Sequence, residues 1–299
     1  MFKNLIVYRI AAGWSVGASQ MQESLEKARF VECGATQPIS SGWVEPRGVA
    51  HAPLAEVVAG QLLLKLATEQ KVLPAAVVKR RVDEMAAQIE KSSGRKPGKK
   101  QKKELKEDAV LELLPQAFTK QAAINVWLDA QHMLLLIDAS SPARADEVVS
   151  LLVKSFEGLS ISHVATVESA AVAMTRWLAS GEPPAGFTVD RECELKSADE
   201  MKSVVRYARH PLDTDEVRRY VNEGKLPTKL ALTWQGRVSF LLTDTMQIKK
   251  IGFLDGVFEG SKPGKDEAFD ADAAIATGEL RKLIPDLLDA LGGEQPLSA

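Results

Sequence analysis

The segment from residue 75 to residue 114 constrains the fold more than any other part of the chain. In its first half, four apolar side chains recur at steps of four, three and four, which places them on one stripe of a helix. They are Val78, Val82, Met85 and Ile89. The next stretch, SSGRKPGKK over 92–100, has no large apolar side chain and predicts a mobile, solvated tip. A second helix is expected over 101–114, ended by Pro115. The segment therefore predicts a projecting antiparallel helical hairpin whose apolar stripe needs a partner surface.

The rest of the chain predicts an α+β fold with antiparallel sheets and packed helices. Segments rich in β-branched and aromatic residues predict strands over 2–10 and 61–67, and paired segments predict hairpins over 123–138 and 229–242. Because helices and strands follow one another without the regular alternation of a parallel sheet, the strands should pair antiparallel. The residues from Gly292 onward follow the last expected helix and should fray.

Composition excludes several classes of protein. Of the 299 residues, 45% are hydrophobic and 26% are charged, which is ordinary for a globular chain. No apolar run approaches the roughly 18 residues of a bilayer-spanning helix, and the N-terminal apolar segment is too short for a signal peptide. We therefore expect a cytoplasmic protein without a membrane partner. The 2 cysteines and 4 histidines are scattered singly, so we expect reduced thiols, no metal site and no cofactor.

The charge is unevenly distributed along the chain. Residues 79–106 contain eleven basic and four acidic side chains, a net charge of +7, so the remaining residues must carry −9 to give −2 overall. Clustered Lys and Arg side chains are the usual electrostatic footprint of a nucleic-acid-binding surface, although basic hairpins also occur as solvated projections. This uneven distribution of charge favours a nucleic-acid partner.

Motifs that would support catalysis are incomplete. The sequence GWSVG over 13–17 fits the GxSxG pattern of a serine nucleophile at Ser15 and lies between a predicted strand and a predicted helix, as a nucleophile elbow requires. No earlier strand and loop could donate to an oxyanion hole, and no alternating parallel β/α pattern follows, which favours a glycine-rich turn. Asp129 and Asp138 are the candidate ligands for a nuclease metal. They have no obvious third partner, and aspartate is common at turns and strand ends for its local hydrogen bonding. The sequence predicts that the protein is not an enzyme.

A second group of cations lies outside the hairpin. Arg206, Arg209 and His210 surround Tyr207 in an extended or turn segment, where arginine can contact phosphate and tyrosine can donate through its hydroxyl. Three further cations are expected near the polar face of the C-terminal hairpin and its third strand: Lys229, Arg237 and Lys249. The complete set of expected DNA contacts is Lys79, Arg80, Arg81, Lys99, Lys100, Lys102, Lys103, Arg206, Arg209, His210, Lys229, Arg237 and Lys249. Since no helix-turn-helix, zinc finger or basic zipper is present, binding should be independent of DNA sequence.

Seven stretches distributed over nearly the whole chain carry a family resemblance. They are FKNLIVYR (2–9), GWVEP (42–46), VLP (72–74), LLPQAF (113–118), GFTVDRECELK (186–196), GKLPTKLALTWQGRVSF (224–240) and TGEL (277–280). In this order they resemble the RdgC family of bacterial recombination-associated proteins. No single stretch is diagnostic, but the set is.

The resemblance implies a ring-shaped homodimer with a positively charged central hole through which double-stranded DNA passes. It also implies restraint of the RecA recombinase through occupation of DNA, and an association with the nucleoid; binding of single-stranded DNA is expected too. Two-fold contacts at two places would close such a ring. Phe118 of LLPQAF is then a dimer-contact aromatic, although the alternative of an ordinary core aromatic stays open. Val82, Met85 and Ile89 would meet the partner across the hairpin, and Arg209 with His210 would face the DNA.

Three parts are implied by the same resemblance. The central α+β body would comprise residues 1–74 and 119–182, the helical tip residues 75–118, and the C-terminal base domain residues 183–299. Two other functions stay open: an adaptor that binds a recombination protein through the acidic C-terminal half, and an enzyme that uses Ser15 or the two aspartates.

Overall fold

The computed structural model describes residues 2–257 and 268–295, and its strands and helices form an α+β fold. The strands are β1 (Leu5–Ile10), β2 (Ile39–Val44), β3 (Glu56–Val58), β4 (Gln61–Val72), β5 (Phe118–Asp129), β6 (Leu134–Asp138), β7 (Ile161–His163), β8 (Phe187–Ser197), β9 (Val204–Ala208), β10 (Lys225–Trp234), β11 (Val238–Thr243) and β12 (Ile248–Phe253). The α-helices are α1 (Ala18–Glu26), α2 (Ala75–Ser93), α3 (Lys99–Leu113), α4 (Pro142–Ser155), α5 (Ala170–Ser180), α6 (Asp215–Asn222) and α7 (Ala268–Ala290). A short 3-10 helix, Leu114–Gln116, follows α3.

A single 12-stranded antiparallel sheet runs through the described chain. Its strand order is β2-β4-β5-β6-β1-β12-β11-β10-β8-β9, with β3 paired to β4 and β7 paired to β1. The antiparallel α+β class expected from the sequence is therefore confirmed. The sheet continues from the expected body into the expected base through one pair of strands, where Leu5 of β1 lies opposite Ile248 of β12 and Ile251 N donates to Lys3 O at 2.9 Å.

Two hydrophobic cores cover the sheet. One core spans both halves and packs α5, α6 and α7 against residues such as Leu5, Trp127, Leu230 and Leu232. The other lies under α1 and α4 against alternate residues of the first half, such as Ile137. In strands β8–β12 we call the side opposite the first core the open face. It carries mostly polar and charged side chains, together with buried Leu241 of β11.

The C-terminal residues are held in place, contrary to the expected fraying. Val167 N donates to Gly293 O at 2.9 Å, Gln295 N donates to Ala165 O at 2.8 Å, and Glu294 forms an ion pair with Arg9 of β1. Backbone pairing and a charge partner from the first strand together fix this segment. The last part of the expected fraying tail, 296–299, lies outside the described residues.

Candidate nucleic-acid interface

The helical hairpin expected from the sequence is confirmed as α2 and α3. Helix α2 ends at Gly94, which adopts the left-handed conformation with φ of 70°, a conformation that glycine takes without steric cost. The turn to α3 is then complete by Gly98, and Pro97 within it is buried. The two helices project from the ends of β4 and β5, where Val72 lies opposite Phe118.

The apolar stripe of α2 is covered in part by α3 of the same chain. Val78 is buried, Val82, Met85 and Ile89 are half-buried, and the facing Leu105 and Ala109 of α3 are buried. The predicted need for a partner surface is thus partly met within the hairpin. A groove of about 620 Å³ remains on its flank, with Leu73, Ala75, Val78, Lys79, Val82, Lys102, Lys106 and Val110 around it.

The hairpin cations divide into paired and unpaired groups. Arg81 donates from Nε and NH2 to Glu112 at 2.9 and 2.8 Å, which joins α2 to α3, and these hydrogen bonds raise the pKa of its guanidinium. Arg80 lies 3.7 Å from Glu84, and Lys103 lies 4.0 Å from Glu107. The exposed lysines without an ion pair among the described residues include Lys79, Lys99, Lys100 and Lys102.

Three of these unpaired lysines lie in the first turn of α3. The N-terminus of a helix carries a partial positive charge and unsatisfied N–H groups, which favour anions and disfavour cations. The capping residue is Gly98, so no side chain offsets that charge, and no acidic residue lies in the first turn. Lys99, Lys100 and Lys102 therefore add to the positive potential of the helix end. The tip of the hairpin is suited to phosphate groups.

On the open face, the cations are arranged around one carboxylate. Glu194 of β8 accepts hydrogen bonds from Arg206 Nε at 2.6 Å, Thr228 Oγ1 at 2.8 Å and Lys229 Nζ at 3.1 Å. A bulge makes this possible, because Pro227 lies opposite Leu195 while Lys229 already lies opposite Glu194. The hydrogen bonds, with the one from Arg206 strongest, lower the pKa of Glu194 to about 2.

Lys249 extends the open face as expected. It lies on β12, opposite Leu241 of β11, and its Nζ donates to Ser140 O at 3.1 Å. The neighbouring Lys250 was not among the expected contacts. It forms an ion pair with Glu192 at 2.6 Å, although strands β10 and β11 lie between β12 and β8.

Arg209 and His210 follow the edge strand β9. Arg209 is exposed and has φ of 56°, an unusual conformation for a residue with a side chain. His210 N donates to Arg191 O at 3.1 Å, and its exposed ring donates from Nδ1 to Pro211 O at 2.6 Å. Tyr207 differs from its expected role: it is buried, its hydroxyl donates to Glu216 Oε1 at 3.2 Å, and burial raises its pKa to about 12.

Arg237 does not lie on the open face, contrary to expectation. It follows the β10–β11 turn and donates from Nε and NH2 to Glu279 of α7 at 2.8 and 2.7 Å. Helix α7 packs on the opposite side of the sheet, where Trp234 Nε1 also donates to its Asp286. Sequence alternation could not place Arg237, because it lies beyond the end of the alternating strand. The paired arginine lowers the pKa of Glu279.

Phe118 is 87% exposed and so is no core aromatic within the described chain. Val72, opposite Phe118 across the strand pair, is 45% exposed, and Leu111 near the end of α3 is 54% exposed. These apolar side chains lie where the hairpin leaves the sheet. Such a cluster is characteristic of a contact with another protein surface.

The two candidate aspartates are engaged by hydrogen bonds within the fold, and Asp129 also forms an ion pair with Arg281 of α7 at 3.3 Å. Buried Asp129 accepts hydrogen bonds from Gln131 N at 3.1 Å and His132 Nδ1 at 2.6 Å, whereas Asp138 accepts them from Lys3 N and Asn4 N. Since Asp129 lies opposite Leu134, four residues before Asp138 on β6, the Cα atoms of the two aspartates are offset by about 13 Å along the strand. They cannot share one metal ion.

Three further observations bear on catalysis and on the membrane. Ser15 is exposed and has no hydrogen-bond partner among the described residues. Within residues 2–257 and 268–295, no group of three or more His, Cys, Asp or Glu side chains could hold a metal ion. In the same part of the chain, no helix is both long and apolar enough to cross a bilayer.

Fold and site together define a class: an antiparallel α+β protein with a basic helical hairpin and a charged sheet face. Comparison with known proteins gives the family. A protein-family model described as "Putative exonuclease, RdgC" matches residues 1–294. The chain belongs to the RdgC family.

The most similar curated relatives carry one name, "Recombination-associated protein RdgC". The relative from Dechloromonas aromatica is 44% identical and the match covers 98% of both chains. That from Herminiimonas arsenicoxydans is 43% identical over 98% of both chains, and that from Cupriavidus necator is 45% identical over 98% of this chain and 99% of the relative. The names of these relatives mention no enzymatic activity, whereas the description of the family model does.

Proposed function

We propose that the protein binds double-stranded DNA without sequence preference, as a ring-shaped homodimer that encircles the duplex and restrains RecA-mediated recombination. The observation that carries the proposal is the unpaired lysine cluster at the N-terminus of α3. Three exposed lysines beside a positive helix end attract the phosphate backbone, which is the same for every sequence. The recombination-associated name of the relatives supports a DNA partner.

The tip lysines are tested by the dependence of DNA affinity on salt. Each neutralised phosphate contributes about 0.9 to the slope of log affinity against log salt, so replacing Lys99, Lys100 and Lys102 with Gln should lower the slope by about 2.7 per chain. A matched control replaces the exposed lysines Lys27, Lys154 and Lys282 with Gln. An equal loss of slope in both variants would show that only net charge matters, and an unchanged slope in the tip variant would contradict the proposal.

The sheet cations are proposed as a second set of phosphate contacts. This set retains Arg206, Arg209, His210, Lys229 and Lys249. The hairpin residues Lys79, Arg80, Arg81 and Lys103 remain candidates on the flank and tip. Arg237 is left out, because Glu279 engages two nitrogens of its guanidinium on the other side of the sheet.

The homodimer is proposed from the exposed apolar cluster around Phe118. Burial of Phe118 against a second copy would remove a large apolar surface from water, with Val82, Met85 and Ile89 at or near the contact. The body, tip and base expected from the resemblance would then each form part of the ring. Sedimentation equilibrium at micromolar concentration should give a dimer, and Phe118→Glu should weaken it, with Val153→Glu on α4, where the side chain is 45% exposed, as a control away from the hairpin.

Encirclement is tested by topology. A closed ring should stay on covalently closed circular DNA at high salt longer than on a linear duplex, from which it can slide off. Blocking both ends of the linear duplex should abolish the difference. If circular and linear DNA release the protein at the same rate, the protein does not enclose the duplex.

Restraint of RecA is tested in a strand-exchange reaction. Preincubation of the duplex with the protein should slow exchange, and the tip variant should slow it less. If the protein slows exchange without binding DNA in the absence of RecA, the adaptor function is favoured. On this proposal a fluorescent fusion of the protein should also lie over the nucleoid.

The description of the family model favours one other candidate, an exonuclease. End-labelled duplex incubated with Mg²⁺ or Mn²⁺ tests it directly. We expect no shortening, because Asp129 and Asp138 are separated and both carboxylates are engaged in hydrogen bonds within the fold. Shortening that is lost in Asp138→Asn would establish the enzyme.

A further inference from the structure

Glu194 is the point at which neighbouring strands of the open face are joined. Strand β8 lies between β9 and β10, and Glu194 accepts one hydrogen bond from Arg206 of β9 and two from Thr228 and Lys229 of β10. The carboxylate is 16% exposed, whereas Arg206 is 72% exposed. The mostly buried carboxylate of Glu194 therefore binds Nε of Arg206, while the rest of the Arg206 guanidinium extends into solvent.

The atoms used by this pair leave the outer part of the guanidinium free. Only Nε of Arg206 donates to Glu194, and neither terminal amino group has a partner among the described residues. Those two groups form the planar fork that matches two oxygens of a phosphate. At Arg237, by contrast, Glu279 engages both Nε and NH2, so no such fork remains.

We propose that Glu194 is a positioning residue for phosphate binding: it fixes the Arg206 guanidinium through Nε, so that both terminal amino groups are presented to the DNA backbone. The inference rests on the proposed function. Its physical basis is that an arginine already held in one orientation loses less conformational freedom when a phosphate binds. The opposing view is that Glu194 only cancels positive charge, in which case removing it should strengthen DNA binding.

Glu194→Gln separates these two views. Glutamine offers one acceptor oxygen to three donors and removes a negative charge. Positioning predicts that affinity for a fluorescent duplex of mixed sequence falls about two- to tenfold despite the more favourable charge. The control is Glu279→Gln, which makes the same charge change on the other side of the sheet and should not weaken binding.

Two variants of Arg206 complete the experiment. Arg206→Ala should lower the salt slope by about 0.9 per chain, and adding Glu194→Gln to it should cause no further loss. Arg206→Lys keeps the charge but has no fork, so it should keep the salt slope of the parent while its affinity falls below that of the parent. This variant also keeps the test valid if Glu194→Gln does not fold, which thermal melting would reveal.

The outcomes distinguish this inference from the proposed function. If Glu194→Gln and Glu279→Gln strengthen binding equally, or Arg206→Lys binds like the parent protein, Glu194 does not position Arg206. If the parent binds duplex DNA and Arg206→Ala binds equally well, the inference fails while the function stands. If the parent does not bind duplex DNA, the proposed function itself fails.

Discussion

Two glycine-to-alanine substitutions should change stability in opposite directions. Gly42 of β2 lies against the backbone of the preceding segment: a Cβ added there would lie 2.5 Å from Phe30 N and 2.7 Å from the Arg29 carbonyl carbon. Backbone atoms cannot rotate away as side chains do, so the two segments must separate. In helix α7, a Cβ added at Gly278 would meet nothing within 4 Å.

The magnitude at Gly42 follows from what the separation breaks. Phe30 N donates to Trp43 O at 3.0 Å, Trp43 N donates to Ala28 O at 2.9 Å, and the Trp43 side chain is fully buried. Two hydrogen bonds at about 1 kcal/mol each, with partial exposure of an indole, give a loss of about 2–4 kcal/mol for Gly42→Ala. Gly278→Ala should gain about 0.5–1 kcal/mol, because alanine has less freedom to lose in a helix interior.

Thermal and urea unfolding measure both changes on the same scale. At about 2–4 °C per kcal/mol for large domains, Gly42→Ala should lower Tm by roughly 4–16 °C and Gly278→Ala should raise it by roughly 1–4 °C. Gly34→Ala, whose added Cβ would come no closer than 3.8 Å to the Gln37 side chain, is the control for a change of residue without a close approach. A Gly42→Ala protein that melts with the parent would refute the argument from the close approach.

Three further predictions concern titration, thiol reactivity and the C-terminal segment. The pKa of Glu194 is lowered to about 2, below its value in the unfolded chain, so its contribution to stability is present above about pH 4.3 and is lost as pH falls towards 2. In Glu194→Gln the free energy of unfolding should therefore depend less on pH in that window. An acid transition equal to that of the parent would contradict the pairing. Burial raises the pKa of the Cys193 thiol to about 12, so Ellman's reagent at pH 8 should label Cys193 only as fast as the protein unfolds. The labelling is measured in a Cys33→Ser background, and immediate labelling would contradict the burial of Cys193. Glu294→Gln should lower the free energy of unfolding by about 1 kcal/mol, because it weakens a half-buried ion pair with Arg9, and a chain as stable as the parent in urea would show that the pair is dispensable.

Local features of the fold were predictable from the sequence. The helical hairpin was recognised because the spacing of Val78, Val82 and Met85 and the glycines of the tip are all local signals. The C-terminal β-hairpin was likewise recognised, because the large apolar residues Leu230, Leu232 and Trp234 alternate with smaller or polar ones, and the structure buries these three side chains.

Features that depend on distant pairing were not predictable. The partners of Glu194 come from two other strands, and the bulge between Pro227 and Lys229 that brings them together has no clear sequence signal. Arg237 was placed on the wrong side of the sheet, because its partner Glu279 is 42 residues away in a helix. Alternation within one strand shows which side chains share a face, but it does not show what covers that face.

The position of β1 has a consequence for synthesis of the protein. This strand is made before the eleven other described strands, yet it lies in the middle of the sheet and pairs with β12, where Leu5 lies opposite Ile248. Its Arg9 is joined to Glu294. On the ribosome, β7 can cover the end of this edge at Tyr8–Ile10 once residue 163 has emerged, but the part around Leu5 must stay uncovered until β12 has emerged. A nascent chain truncated before β12 would therefore expose part of a strand edge, a feature prone to aggregation.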